Sequence, residues 1–110
     1  MINITLWQNQ ERQINKFLVE GHAGYGEEGW DIVCAAVSAL TIATLNGLTE
    51  YVLLPVDIVL KNGYVHCTLP DQMTELQTVQ AQAILKTMDF AFQNIKNEYD
   101  KYMRINRINL

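Results

Sequence analysis

Residues 21–40, GHAGYGEEGWDIVCAAVSAL, constrain the fold more than any other stretch. Four of the six glycines, Gly21, Gly24, Gly26 and Gly29, fall in its first nine residues, and a run without charge opens behind Asp31. Glycine gives up more backbone freedom on ordering than any other residue, so the first half reads as a loop. The second half is apolar nearly all round, which predicts a helix that is largely buried. His22 stands on the near side of the loop and Cys34 on the far side.

The details of this helix place the cysteine. Asp31 is a good N-cap, because its carboxylate can accept the free N–H groups of the first turn. The helix is predicted over 32–45, with Asn46-Gly47 as its stop. Asp31, Cys34, Ser38, Thr41 and Leu45 recur every three or four residues, so Cys34 lies on the polar stripe.

Elsewhere the periodicity alternates. Ile2, Ile4 and Leu6 mark a half-buried strand, and the polar run 8–13 a turn. Residues 14–20 form a second strand, with Phe17 and Val19 on one face and Ile14 out of phase, which suggests a bulge. Asn62-Gly63 is a strong two-residue hairpin signal between strands at 52–60 and 64–69. Counting outward pairs Leu60 with Val65, Ile58 with Cys67 and Val56 with Leu69, an apolar face expected to meet the core. The opposite face carries Lys61 with Tyr64, Val59 with His66, and Asp57 with Thr68.

Pro70-Asp71 introduces a helix over roughly 72–100, with Leu76, Val79, Ala83, Met88, Ile95 and Tyr99 as its apolar line, widened by Ala91 and Phe92. The tail RINRINL either adds a short extended segment or stays loose. The reading is a single domain over 1–110: a two-layer α+β fold in the order ββαββα, its antiparallel sheet built from two hairpins and covered by two helices.

Composition narrows the function classes. A chain of 110 residues with 49% hydrophobic content can bury one core without disulfide or metal staples. No apolar run approaches the ~20 residues that span a bilayer, so no membrane role is expected. The start lacks the basic and apolar regions of a secretory signal, and two cysteines then suggest free thiols in a reducing cytoplasm. Net charge is −4, and no Lys or Arg occurs from residue 17 to residue 60. That centre repels phosphate backbones, which argues against direct nucleic-acid binding, and it suits a basic peptide or is simply a solvated surface.

Three site chemistries compete for the opening stretch. Cys34 in a first helical turn, beside a histidine, has the parts of a thiol nucleophile, and the helix N–H groups could serve a developing oxyanion. A lone helical cysteine is also an ordinary small core residue. Phosphate binding lacks any GxxxxGK[ST] pattern or nearby lysine. A zinc site from His22, Cys34, His66 and Cys67 requires adjacent strand residues to share a face, which the hairpin register forbids, so no metal or other cofactor is expected. Tyr25 and Trp30 line a peptide groove or pack as a lid.

The same residues resemble the signature of the bacterial ribosomal-processing cysteine proteases, the Prp family, from Gly21 to Ala23 and again from Asp31 to Ser38. Element order and length also agree over the whole chain. The resemblance implies a homodimeric cysteine endopeptidase that removes the N-terminal extension of a large-subunit ribosomal protein. It implies Cys34 as nucleophile, His22 as base, and Asp31 and Ser38 in support. Gly21, Ala23, Gly24, Tyr25, Gly26 and Gly29 would then form a loop that gates the substrate. The alternatives are a non-catalytic ribosome-assembly or peptide-binding module, and a thiol switch that would need Cys67 as its resolving partner.

Overall fold

The computed structural model describes residues 1–110. The elements are β1 (Ile2–Gln8), β2 (Ile14–Glu20), α1 (Ile32–Asn46) with a π turn at Gly47–Tyr51, β3 (Asp57–Lys61), β4 (Tyr64–Thr68), α2 (Glu75–Glu98), a 3-10 turn at Asp100–Tyr102, and β5 (Met103–Asn109). One sheet runs β3-β4-β2-β1-β5, and the buried side chains of its strands face the two helices. The two-layer α+β class holds. The sheet itself is mixed, not antiparallel, because the RINRINL tail pairs parallel to β1 from Ile2↔Met103 to Gln8↔Asn109.

The N-terminal hairpin has its bulge where the phase of Ile14 requires one. Trp7 pairs with Lys16 but Gln8 with Ile14, leaving Asn15 as the extra residue. Ile14, Phe17 and Val19 consequently all reach the core.

The second hairpin keeps the expected register from Lys61↔Tyr64 to Asp57↔Thr68. Its core face is a correction. Cys67 and Leu69 are buried, but every residue of β3 is exposed and Val56 pairs with nothing in the sheet. As an edge strand β3 lies beyond the reach of the helices, which cover the middle of the sheet.

Two features of α1 also differ from expectation. The helix buries Val33, Val37, Thr41, Thr44 and Leu45, while Ile32 and Ile42 are each 55% exposed, so one apolar face stays open. Thr41 and Thr44 enter the core by donating their hydroxyls to the carbonyls of Val37 and Leu40. Gly47 is not a stop either: it keeps right-handed helical angles (φ −60°, ψ −43°), and the backbone winds on to Tyr51. The reason is Leu48, fully buried one residue later. Leu53 (φ 61°) then takes the left-handed position, ahead of Pro55. The continuous helix Ile32–Tyr51 is 20 residues long and apolar enough to cross a membrane, contrary to the sequence count, though Val33, Val37, Leu45 and Leu48 belong to the core.

Helix α2 begins later than Pro70-Asp71 suggests. Thr74 and Gln77 form a capping box: the Thr74 hydroxyl accepts from the Gln77 N–H, and the Gln77 side chain accepts from the Thr74 N–H. The buried line is Ala81, Leu85, Met88 and Phe92, so Leu76, Val79 and Ala83 face outward instead. Asp89 is buried too, and Arg107 of β5 donates to both its oxygens at 2.7 and 2.8 Å.

Candidate active site

The loop between β2 and α1 is held at three points. Gly21 (φ 93°) donates its N–H to the carbonyl of Gly63 at 2.9 Å. A Cβ at Gly21 would stand 2.3 Å from the carbonyl oxygen of Met1, so this position takes only glycine. Ala23 is buried and donates its N–H to the Sγ of Cys34 at 3.2 Å. Tyr25 turns away from the cleft, its ring edge-on to Tyr99 and Tyr102 at 5.4 and 5.1 Å.

Asp31 is the third point and bonds in two directions. Oδ1 accepts from the N–H groups of Val33 and Cys34 at 3.0 and 3.1 Å, which caps the helix. Oδ2 accepts from those of Tyr25 and Gly26 at 2.9 and 3.1 Å, which ties the loop to the helix. Burial pushes this carboxyl up, but the four N–H donors outweigh it and hold it below the usual carboxylate range. Neither oxygen meets His22. The capping takes the Val33 and Cys34 N–H groups, so these two are not free to receive an oxyanion as the sequence suggested.

Two clefts, of about 370 and 440 Å³, meet at His22, Glu28, Cys34 and Ser38. The first runs between α1 and the β3–β4 hairpin, past Val37, Thr41 and Ile42 on one side and Leu60, Lys61, Gly63 and Val65 on the other. The second lies under the loop, lined by Gly24, Gly26, Gly29, Asp31 and Ala35. His22 and Cys34 therefore share one cavity without a hydrogen bond between them. The imidazole rests on the hairpin tip instead, where a Cβ on Gly63 would lie 2.8 Å from Nε2. Ser38 is exposed on the cleft wall and bonds no side chain or backbone carbonyl outside the helix. Trp30 projects into solvent and packs as neither groove wall nor lid.

The two other candidate ligands lie elsewhere. Cys67 is in the core, and its thiol is pushed up to about 12 by burial and by the charge of Asp57. His66 faces the opposite side of the sheet, against Trp7 at 6.1 Å.

The hairpin tip is the wall that sequence reasoning missed. It identified Asn62-Gly63 as a turn, but not the pairing of β4 with β2 that carries this turn to Gly21. That pairing also brings Lys61 into a cleft whose sequence neighbourhood holds no cation.

The family model described as cysteine protease Prp matches residues 1–104. The ribosomal processing cysteine protease Prp of Staphylococcus aureus is 32% identical over 108 residues, covering 96% of this chain and 98% of that one. Its Bacillus subtilis namesake is 26% identical over 107 residues, with 96% of each chain covered. A crystal structure of the S. aureus Prp with a covalently linked product peptide superposes with a TM-score of 0.88 at 32% identity, covering 97% of this chain and 99% of that one.

Proposed function

Because the chain belongs to the cysteine protease Prp family and is thereby a cysteine peptidase, we propose that it removes the N-terminal extension of a large-subunit ribosomal protein in the cytoplasm, with Cys34 as nucleophile and His22 as base. The observation that carries this reading is the shared cavity. His22 and Cys34, with eleven residues between them in sequence, open onto the same two clefts.

Attack of the sulfur on the scissile carbonyl would form a thioester and release the amine, protonated by the imidazolium. Water, deprotonated by the same imidazole, would then free the acid. The Ala23 N–H, 3.2 Å from Sγ, holds the sulfur against the loop that carries His22. His22 must turn from Gly63 to reach Cys34, and catalytic hydrogen bonds commonly close only when substrate binds. The S. aureus relative carries a substrate peptide in one structure and a covalently linked product peptide in another.

Asp31 and Ser38 act in support on this reading, Asp31 by holding the loop against the helix. The enzyme works as a homodimer, for which Ile32, 55% exposed on α1 and outside both clefts, offers an uncharged contact, since two copies of a net −4 chain meet best where neither is charged. Sedimentation gives the oligomeric state. The test of mechanism is incubation with N-terminally extended ribosomal proteins, read by mass spectrometry. The parent should cleave, and Cys34→Ala and His22→Ala should each fall by at least about a thousandfold. Cleavage by either variant at the parent's rate refutes the assignment.

A further inference from the structure

The edge strand β3 has unused bonding capacity beside the clefts. Lys61 and Tyr64 flank a two-residue turn and so form a hydrogen-bonded pair. Alternation then aims the N–H and C=O groups of Lys61, Val59 and Asp57 at β4, and those of Ile58 and Leu60 away from the sheet. The side chains of the same two residues point to the helix side, in register with Cys67 and Val65. Ile58 is 36% exposed and Leu60 64%. Proteins normally blunt a sheet edge with proline, a bulge, an inward charge or a covering element. β3 is the end strand of the sheet and is short, with charges only at its ends, Asp57 and Lys61; between them Ile58, Val59 and Leu60 carry no charge, proline or bulge.

We propose that this edge binds the peptide substrate as an added strand, with the free N–H and C=O groups of Ile58 and Leu60 bonding its backbone. The proposal rests on the peptidase reading above and names how that site holds its substrate. Its occupant follows from continuity: Leu60 and Lys61, which end the strand, also line the cleft that contains Cys34 and His22. A peptide paired along β3 passes directly into that cleft, and its alternate side chains fall toward Leu60, Ile42 and Thr41. Backbone pairing fixes the scissile bond in an extended geometry while leaving sequence preference to the cleft. A second copy on this edge would obstruct the cleft mouth at Leu60, which disfavours it as the occupant.

Ile58→Pro removes one outward N–H and touches no bond to β4, a position where an edge strand tolerates proline. The probe is a synthetic peptide spanning the processing site of an extended ribosomal-protein N-terminus. Ile58→Pro should raise KM about tenfold with kcat within about twofold, and amide spectra should show the hairpin intact. In Cys34→Ala protein, which binds without turnover, the amides of Ile58 and Leu60 should gain exchange protection when the peptide is added. Unchanged KM together with unchanged protection, while the parent still cleaves, overturns this inference and spares the peptidase reading. Protection that exists before peptide and fades on dilution assigns the edge to a second copy and also overturns it. If the parent cleaves no such peptide, both readings fall.

Discussion

Replacing Asp31 tests the coupling of loop and helix most directly. Asp31→Ala deletes acceptors for four backbone N–H groups in one step. Loss of an N-cap costs about 1 kcal/mol. The Tyr25 and Gly26 bonds go to a charged acceptor, but both residues are exposed and their N–H groups can bond water instead. About 0.5–1 kcal/mol each is therefore reasonable. The total is about 2–3 kcal/mol, or roughly 10 °C in Tm for a domain of this size. Asp31→Ser separates the parts, because serine caps a helix but has no second oxygen for the loop. It should recover about 1 kcal/mol of stability in urea titrations while peptide cleavage stays as low as in Asp31→Ala. The acid limb gives a second reading. This carboxyl titrates below its unfolded value, so its stabilisation is complete above the ordinary carboxylate range and is lost as pH falls through the folded value. The gap between parent and Asp31→Ala should therefore be full at pH 7 and close in acid. A penalty under about 0.5 kcal/mol at pH 7, or one that persists unchanged in acid, refutes the coupling.

Iodoacetamide at neutral pH should label Cys34 at least a hundredfold faster than Cys67, which is buried with its thiol pushed up to about 12; peptide mapping reads the ratio. Arg107→Ala should destabilise by about 3 kcal/mol, because it leaves the Asp89 carboxylate buried without its bidentate partner. Peptide cleavage well below the melting temperature should then match the parent, since that pair lies outside both clefts. Gly21→Ala should abolish cleavage and lower Tm, because its methyl meets the Met1 carbonyl and its backbone sits at φ 93°; activity above a tenth of the parent's would show that the loop entrance can shift.

Sequence revealed the parts of this fold that depend on near neighbours. Both strands of the first hairpin and the register around Asn62-Gly63 follow from alternation and turn chemistry, and Asp31 from capping. Misreadings arise where a distant partner decides. Gly47 would end a helix if its conformation were left-handed, but burial of Leu48 draws the backbone onward; the continuing line Leu45, Leu48, Val52 was the available signal. The phase of α2 slipped because its start was taken from Pro70, whereas Thr74 with Gln77 marks it. β5 was hardest, since Ile105 and Ile108 are three residues apart, not two, and the strand pairs with residues at the opposite end of the chain.

The candidate site divides along the same line. Cys34 on a polar stripe is a local fact, and so is the glycine loop before it. Which donors reach Sγ is not local. The sequence makes Asp31 a cap and the first-turn N–H groups open to negative charge, yet the cap takes the Val33 and Cys34 N–H groups, and the donor that reaches the sulfur is the Ala23 N–H. The hydrogen bond to Cys34 Sγ thus comes from the loop and not from the helix that carries the cysteine. Whatever displaces the loop must displace that donor too. The Gly63 carbonyl that holds Gly21, the seat of His22 on the same turn, and the Asp31 clasp at the far end make loop position and donor position a single variable.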